Sequence, residues 1–392
     1  MYPYDNYIIE NANIVLPDRV LNHGNIWIKY GEIKEISHNY ISGNIPRYQA
    51  SGEFLLPGFI DLHSDAIEKE IDPRPNTNFP YDMSLLEMDK KLAANGITTI
   101  FHGVAFAESD FIYRSNQNAL DLSYSIKQMK PILNVRTYVH CRFEITNLKA
   151  VGMIENLLNK KNIDLLSFMD HTPGQGQYKD VTSWVIESPM AGRGQISLPN
   201  AEDLNRLLQQ RTMVQDEVAE KVEYLIQICH KNNVIMASHD DDQSERIEWL
   251  KKNLITIAEF PMNMETIQKA KEMEIFTCIG APNVFRGQSR NGNLSGREAI
   301  EMGYGDILCS DYAPSTLLYA VFLLSEKKIA TIEEAVKMIT LNPAKAVGLN
   351  DTIGSIEIGK NADFVLVNTK QPIPRIHKTF VRGKEIFSTC IN

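Results

Sequence analysis

No stretch of the 392-residue chain comes near the roughly 18 to 20 consecutive apolar residues that a membrane-spanning helix needs. A helical membrane span is excluded on that ground. The first ten residues, Met1 to Glu10, have neither the basic start nor the apolar core of a secretion signal, so the expectation is a cytoplasmic protein. Cysteine is scarce: five residues, with no CxxC pair and hence no closely spaced dithiol. Four of them, Cys141, Cys229, Cys278 and Cys309, lie in or beside apolar runs and read as buried free thiols in a reducing compartment. A chain this long builds a core without disulfide staples. Positive charge is also in deficit. Forty Lys and Arg against 49 Asp and Glu leave a net charge of −9, which argues against a broad nucleic-acid surface. A strongly anionic ligand must then be held by a local cluster of basic groups.

What is present is a repeating pattern. Eight short apolar runs alternate with helical stretches: Phe54–Ile60, Ile97–Phe101, Val135–Cys141, Ile163–Met169, Val234–Ala237, Ile255–Phe260, Ile275–Ile279 and Ile307–Cys309. Runs of this length between helices predict parallel strands covered on both faces. Eight such units predict a closed (β/α)8 TIM barrel, with an open doubly wound sheet as the alternative. Tyr178 to Asn233 is too long for one helix. Its Arg206-to-Cys229 part reads as a long amphipathic helix and the rest as an insertion. Short alternating segments at both ends predict one small β-sandwich domain formed by residues 1–53 and 352–392, leaving 54–351 as the barrel.

The polar residues fall where barrel chemistry is built, at the C-terminal ends of the strands. The first run leads into His63-Ser-Asp65, and residues two apart in an extended segment point to the same side, so both can grip one ion. The third ends in His140-Cys-Arg142-Phe-Glu144, where Arg142 and Glu144 share a face and an internal ion pair is the plain reading. The fourth ends in Asp170-His171, for which a helix cap and a packed imidazole are the plain readings. The fifth gives His239, a ligand candidate, followed by Asp240 to Asp242, read as helix capping. Glu259 closes the sixth and carries little information. Asp311 closes the eighth and is the natural general base beside a water activated by a metal. His102 reads as structural, and His23, His38 and His377 lie outside the barrel.

These residues resemble the amidohydrolase superfamily. The likeness rests on Leu56-Pro-Gly-Phe-Ile-Asp-Leu-His63, Gly96-Ile-Thr-Thr-Ile100, Asn342-Pro-Ala-Lys-Ala-Val-Gly-Leu349 and Gly354-x-Ile-x-x-Gly359-Lys-x-Ala-Asp363. Within it, four stretches are similar to the phosphonate-metabolism hydrolases of the carbon–phosphorus lyase pathway. They are His63 to Lys69 with Asp72-Pro-Arg74, Ser167 to Gln177, Ala237 to Asp241, and Gly280 to Ser289 continuing to Asn293. The resemblance implies hydrolysis of α-D-ribose 1-methylphosphonate 5-triphosphate to the 5-monophosphate and pyrophosphate. It implies one or two divalent ions, zinc foremost with manganese or magnesium tolerated by a carboxylate-rich set. The ligands would come from His63, Asp65, Glu144, His171, His239 and Asp311, with Glu144 as the bridge if two ions bind. The superfamily at large has HxH on its first strand, where this chain has Asp65. It also lacks a lysine at the end of the fourth strand, where Met169-Asp170-His171 stands. Cations must spread charge on a phosphoryl group, and Lys69, Arg74, Arg142 and Arg286 are the candidates. The partner so implied is a small phosphorylated anion, with a homodimer as the one assembly considered and neither nucleic acid nor membrane. The other readings are a hydrolase of C–N bonds (a deacetylase or cyclic amidase) and a barrel that has lost catalysis, against which the presence of His63, Asp65, His239 and Asp311 argues.

Overall fold

The computed structural model describes residues 5–74, 77–107, 115–171, 215–287 and 294–390. Gln175, Gln177, Ser289 and Asn293 lie outside the described residues, as do the insertion and the Arg206 start of the long helix.

Among the described residues the strands form two eight-stranded sheets. The N-terminal segment supplies β1 (Asn6–Val15), β2 (Val20–Lys29), β3 (Glu32–Ser37), β4 (Arg47–Gln49) and β5 (Phe54–Pro57). The barrel strands follow as β6 (Phe59–Ser64), β7 (Ile97–Phe106), β8 (Arg136–Glu144), β9 (Leu165–Met169), β10 (Ile235–His239), β11 (Ile257–Glu259), β12 (Phe276–Gly280) and β13 (Ile307–Cys309). Last come β14 (Phe364–Asn368), β15 (Arg375–Val381) and β16 (Lys384–Ser388).

Strands β6 to β13 run parallel in chain order. Every residue of β7 is buried, which is why its sequence carries no alternation. The sheet closes rather than staying open: Ser64 bridges Asp311, and the amide of Asp65 donates to the Asp311 carbonyl at 2.7 Å. The barrel interior is filled by Ile60, Leu62, Phe101, Leu165, Ile257 and Ile307. The helices cover its outside. In Gln215–Asn232, Val222, Leu225, Ile226 and Cys229 form the buried stripe.

The terminal strands make the second sheet, in the order β16-β15-β14-β5-β1-β2-β3 with β4 beside β1. It folds over on itself, so that Tyr7 of β1 meets Phe380 of β15 with ring centroids 6.4 Å apart. The run Phe54–Ile60, expected as one barrel strand, is divided. Phe54–Pro57 pairs with β14 in the terminal sheet, and Phe59 begins the barrel. Gly58 makes the switch possible, because a Cβ there would collide with the Thr98 side chain. Asp363 holds the same junction. Its carbonyl accepts from Gly58, and its carboxylate takes both Arg136 of β8 and the Arg382 amide. Among the described residues no helix is long and apolar enough to cross a membrane.

Candidate metal centre

The seam between β6 and β13 positions the first group of side chains. The buried Asp61 carboxylate accepts from the Ser310 amide at 3.0 Å, and the Ser310 hydroxyl donates to Ser64 at 2.9 Å. Burial pushes the Asp61 carboxyl up to about 6. Asp311 follows with a left-handed φ of +55°, a backbone state that a non-glycine residue holds at some cost and that is common at functional sites. Asp240 and Phe260, just past β10 and β11, share it. His63, Asp65 and Asp311 thereby converge: one ligand atom of each lies within 4.8 Å of the others.

His63 is turned by Glu259, the last residue of β11. Its Nδ1 lies 3.0 Å from Glu259 Oε1, both side chains being buried. A carboxylate only accepts, so Nδ1 carries the proton and the Nε2 lone pair faces Asp65 Oδ1, 3.9 Å away. This is the arrangement by which a carboxylate orients a metal-ligating imidazole. Burial alone would drive the Glu259 carboxyl up; the hydrogen bond it accepts from His63 Nδ1 holds it below the usual range. His140 lies close enough to His63 and Glu259 to complete a ligand set, yet both its nitrogens are spent. Nδ1 donates to the Leu62 carbonyl at 3.0 Å, and Nε2 accepts from Ser167 at 2.9 Å. Burial pushes its pKa down to about 3, so it is a neutral bracket beneath the site.

A second group adjoins the first, the His239 ring centroid lying 5.4 Å from that of His63. His171, His239 and Asp240 bring ligand atoms within 4.8 Å of one another. His171 Nδ1 lies 2.9 Å from Glu144 Oε2, while its Nε2 lies 3.7 Å from Asp240 Oδ2. Burial works against its charge, but the flanking carboxylates Asp240 and Glu144 raise its pKa to about 9. His239 Nδ1 is 3.1 Å from Asp240 Oδ2. Phe260 wedges edge-on against His63 and His239, with centroids 4.9 and 5.0 Å away.

The six expected ligands fall in two adjoining groups, with the His63 and His239 ring centroids 5.4 Å apart. His63, Asp65 and Asp311 meet in one group, His171 and His239 in the other, and Glu144 backs His171. The plain readings of two strand ends also change. Arg142 does not pair with its neighbour Glu144; it reaches Asp65 at 2.5 Å and His239 at 3.4 Å. Asp240 and Asp241 are not caps. Asp240 faces the two imidazoles, and Asp241 accepts from Ser238 and Arg246. Glu259 and Asp240 are the residues that sequence reasoning passed over, although a polar residue closing a buried run was the available signal.

The other three expected cations are exposed. Lys69 is exposed and sits 5.3 Å over the ring of Tyr312, next to Asp311. Arg74 and Arg286 are exposed on the connections after β6 and β12. His102 is buried in β7, and His377 pairs with Glu53 at 2.8 Å in the terminal sheet.

The donor set fits a divalent ion. It offers carboxylate oxygens and imidazole nitrogens without thiolate, a mixture that suits zinc or manganese. Glu259 Oε2, Asp240 Oδ2 and His239 Nδ1 are buried without a hydrogen bond, the state of atoms awaiting a cation.

The sequence pattern of the Amidohydrolase family matches residues 209–386. The chain is 30% identical over 385 residues to the α-D-ribose 1-methylphosphonate 5-triphosphate diphosphatase of Escherichia coli (strain K12), covering 97% of this chain and 100% of that one. It is 25% identical over 397 residues to a 5′-deoxyadenosine deaminase of Methanobrevibacter smithii, covering 93% and 85%. The fold is that of dihydropyrimidinase from Brevibacillus agri, with a TM-score of 0.65 at 12% identity over 98% of this chain and 95% of that one. The eight-stranded barrel, the terminal sheet and the full-length relative agree, and the chain belongs to the amidohydrolase family of hydrolases.

Proposed function

We propose that this chain is a metal-dependent diphosphatase that hydrolyses α-D-ribose 1-methylphosphonate 5-triphosphate, releasing pyrophosphate in phosphonate catabolism. The observation that carries the reading is the full-length 30% identity to a diphosphatase of that substrate. The site supports it with a carboxylate base, an imidazole and carboxylate metal group, and exposed cations.

A divalent ion held by His63, Asp65 and Asp311 would supply Lewis acidity, lowering the pKa of a water and polarising a phosphoryl oxygen. Asp311 takes the proton of the attacking water as the new O–P bond forms and the anhydride O–P bond breaks. Burial raises the Asp311 carboxyl above its ordinary value in the metal-free site. Lys69, Arg74 and Arg286 receive the charge of the leaving pyrophosphate. The test is phosphorus NMR of wild-type protein with the ribose triphosphate, a nucleoside triphosphate, an N-acetyl sugar phosphate and a cyclic amide. Pyrophosphate from the ribose triphosphate is expected. Rapid amide cleavage with no attack on triphosphates would assign the barrel to C–N hydrolysis, the activity of the deaminase relative.

A further inference from the structure

The basic residues that could meet a phosphorylated substrate are not alike. Lys69, Arg74 and Arg286 are exposed, so solvent and salt screen them. Arg142, near the end of β8, is 7% exposed. Its Nη1 donates to Asp65 Oδ2, and its Nη2 lies 3.4 Å from His239 Nε2. Ligand atoms of Asp65 and Asp311 lie within 4.8 Å of each other, so one carboxylate separates this guanidinium from the proposed base.

We infer that Arg142 is the catalytic cation of the diphosphatase, donating to an oxygen of the phosphoryl group under attack, while Lys69, Arg74 and Arg286 serve binding alone. The inference rests on the diphosphatase reading above.

A guanidinium carries five N–H donors. Among the described residues, Asp65 takes one hydrogen of Nη1 and His239 one of Nη2, so each terminal nitrogen keeps a second. The Asp65 contact uses one nitrogen of the fork rather than two, and Nε is buried without a hydrogen bond. The barrel is shaped to hold this head. A Cβ added to Gly103 of β7 would lie 2.6 Å from Asp65 Oδ1 and 3.2 Å from Arg142 Cδ, so only glycine leaves room for the two side chains to meet. Burial disfavours the Arg142 charge, but Asp65 outweighs it, so the cation is permanent. In the reaction the water oxygen bonds to phosphorus and its proton goes to Asp311. The bridging O–P bond breaks, and its electron pair stays with the departing oxygen. Negative charge is spread over the phosphoryl oxygens between those two states, and a buried cation already fixed in place meets it with little screening.

The experiment compares full-length, metal-loaded wild type with Arg142→Met by three readouts: pyrophosphate release from the ribose triphosphate, metal content by elemental mass spectrometry, and vanadium NMR of orthovanadate binding. Vanadate takes the five-coordinate form of a phosphoryl group under attack, and its binding needs no turnover. Arg142→Met should lose about 100- to 1,000-fold in kcat, the usual effect of removing one preorganised donor to developing charge. Vanadate affinity should fall by a comparable factor, with KM and metal content unchanged. The loss should not vary with salt. If Arg142→Met does not fold, Arg142→Lys carries the test. Its kcat should fall at least about tenfold at unchanged KM, because one ammonium cannot replace a fork that spans two partners. A wild-type kcat and vanadate affinity in either variant, or a loss that only follows loss of metal, would overturn the inference while leaving the diphosphatase. No pyrophosphate from the wild type would overturn the diphosphatase reading on which the inference rests.

Discussion

Replacing Glu259 by Gln is the sharpest perturbation the site offers, because it keeps the shape of the side chain that orients His63 and removes only its charge. Glu259 is fully buried, accepts from His63 Nδ1 at 3.0 Å, and has its second oxygen 3.7 Å from His140 Nε2. The amide keeps the shape and one acceptor but loses the charge. A hydrogen bond to a charged group contributes roughly 1.5–3 kcal/mol, and a neutral one roughly 0.5–1.5. The change of about 1 to 1.5 kcal/mol amounts to about a tenfold weaker hold on a metal-ligating His63, at the low end of the roughly 10- to 100-fold seen for such partners. If the Gln NH₂ turns toward His63, the imidazole proton must move to Nε2, and the loss approaches the upper end. Stability should fall as well, because the folded site holds the Glu259 carboxyl below its usual range and so favours its charge at neutral pH; the metal-free variant should unfold at a lower urea concentration than wild type. The assays are chelator competition for Zn²⁺ at fixed pH and urea unfolding of the stripped protein. Unchanged metal affinity in the variant would refute the role given to Glu259.

Chelation should abolish hydrolysis, and readdition of Zn²⁺ or Mn²⁺ should restore it; activity indifferent to chelator would remove the metal from the mechanism. Asp311→Asn should fold, by circular dichroism, yet lose about 100- to 10,000-fold in kcat, the usual contribution of a general base. Lys69→Ala, Arg74→Ala and Arg286→Ala remove exposed cations, so each should raise KM for a triphosphate about two- to fivefold, matching the roughly 0.5–1 kcal/mol of a solvent-exposed pair. Those effects should shrink in high salt, and a salt-independent loss in kcat would place the residue at the reacting phosphorus instead. Burial pushes the pKa of His102 down to about 4, so the unfolded chain binds a proton that the folded chain refuses. The stability this contributes is complete above pH about 6.5 and is lost as pH falls toward 4, roughly 2 kcal/mol of it by pH 5. Urea unfolding of metal-free His102→Leu at pH 7 and pH 5 should show a correspondingly flatter dependence than wild type, and an equal slope would refute the assignment.

The barrel was legible because its strands are covered on both faces and so spell continuous apolar runs between helices. Each of the eight runs overlaps a strand of the closed sheet, and the two terminal segments do join. What the pattern concealed was the change of sheet inside Phe54–Ile60. Leu55, Leu56, Phe59 and Ile60 are all buried, so hydrophobicity cannot say that Phe54–Pro57 pairs with β14 and Phe59 with β7. Gly58 marked the switch only once its distance to Thr98 was known.

The site was legible in its membership more than in its connections. Position at a strand end singled out His63, His171, His239 and Asp311, each of which the structure brings into a group of ligand-type side chains. Roles depend on the atom at the far end of the side chain, and that partner comes from another strand. Arg142 and Glu144 share a face, which suggested an ion pair, but a long guanidinium stem bypasses its neighbour for Asp65, 77 positions away in the chain. Glu259 looked uninformative beside Phe-Pro because its partner, His63, is 196 residues distant. Spacing within a strand constrains two atoms that touch. It cannot assign the proton between imidazoles and carboxylates drawn from six strands, and that assignment decides which imidazole offers a lone pair to a metal and which is held by a cation.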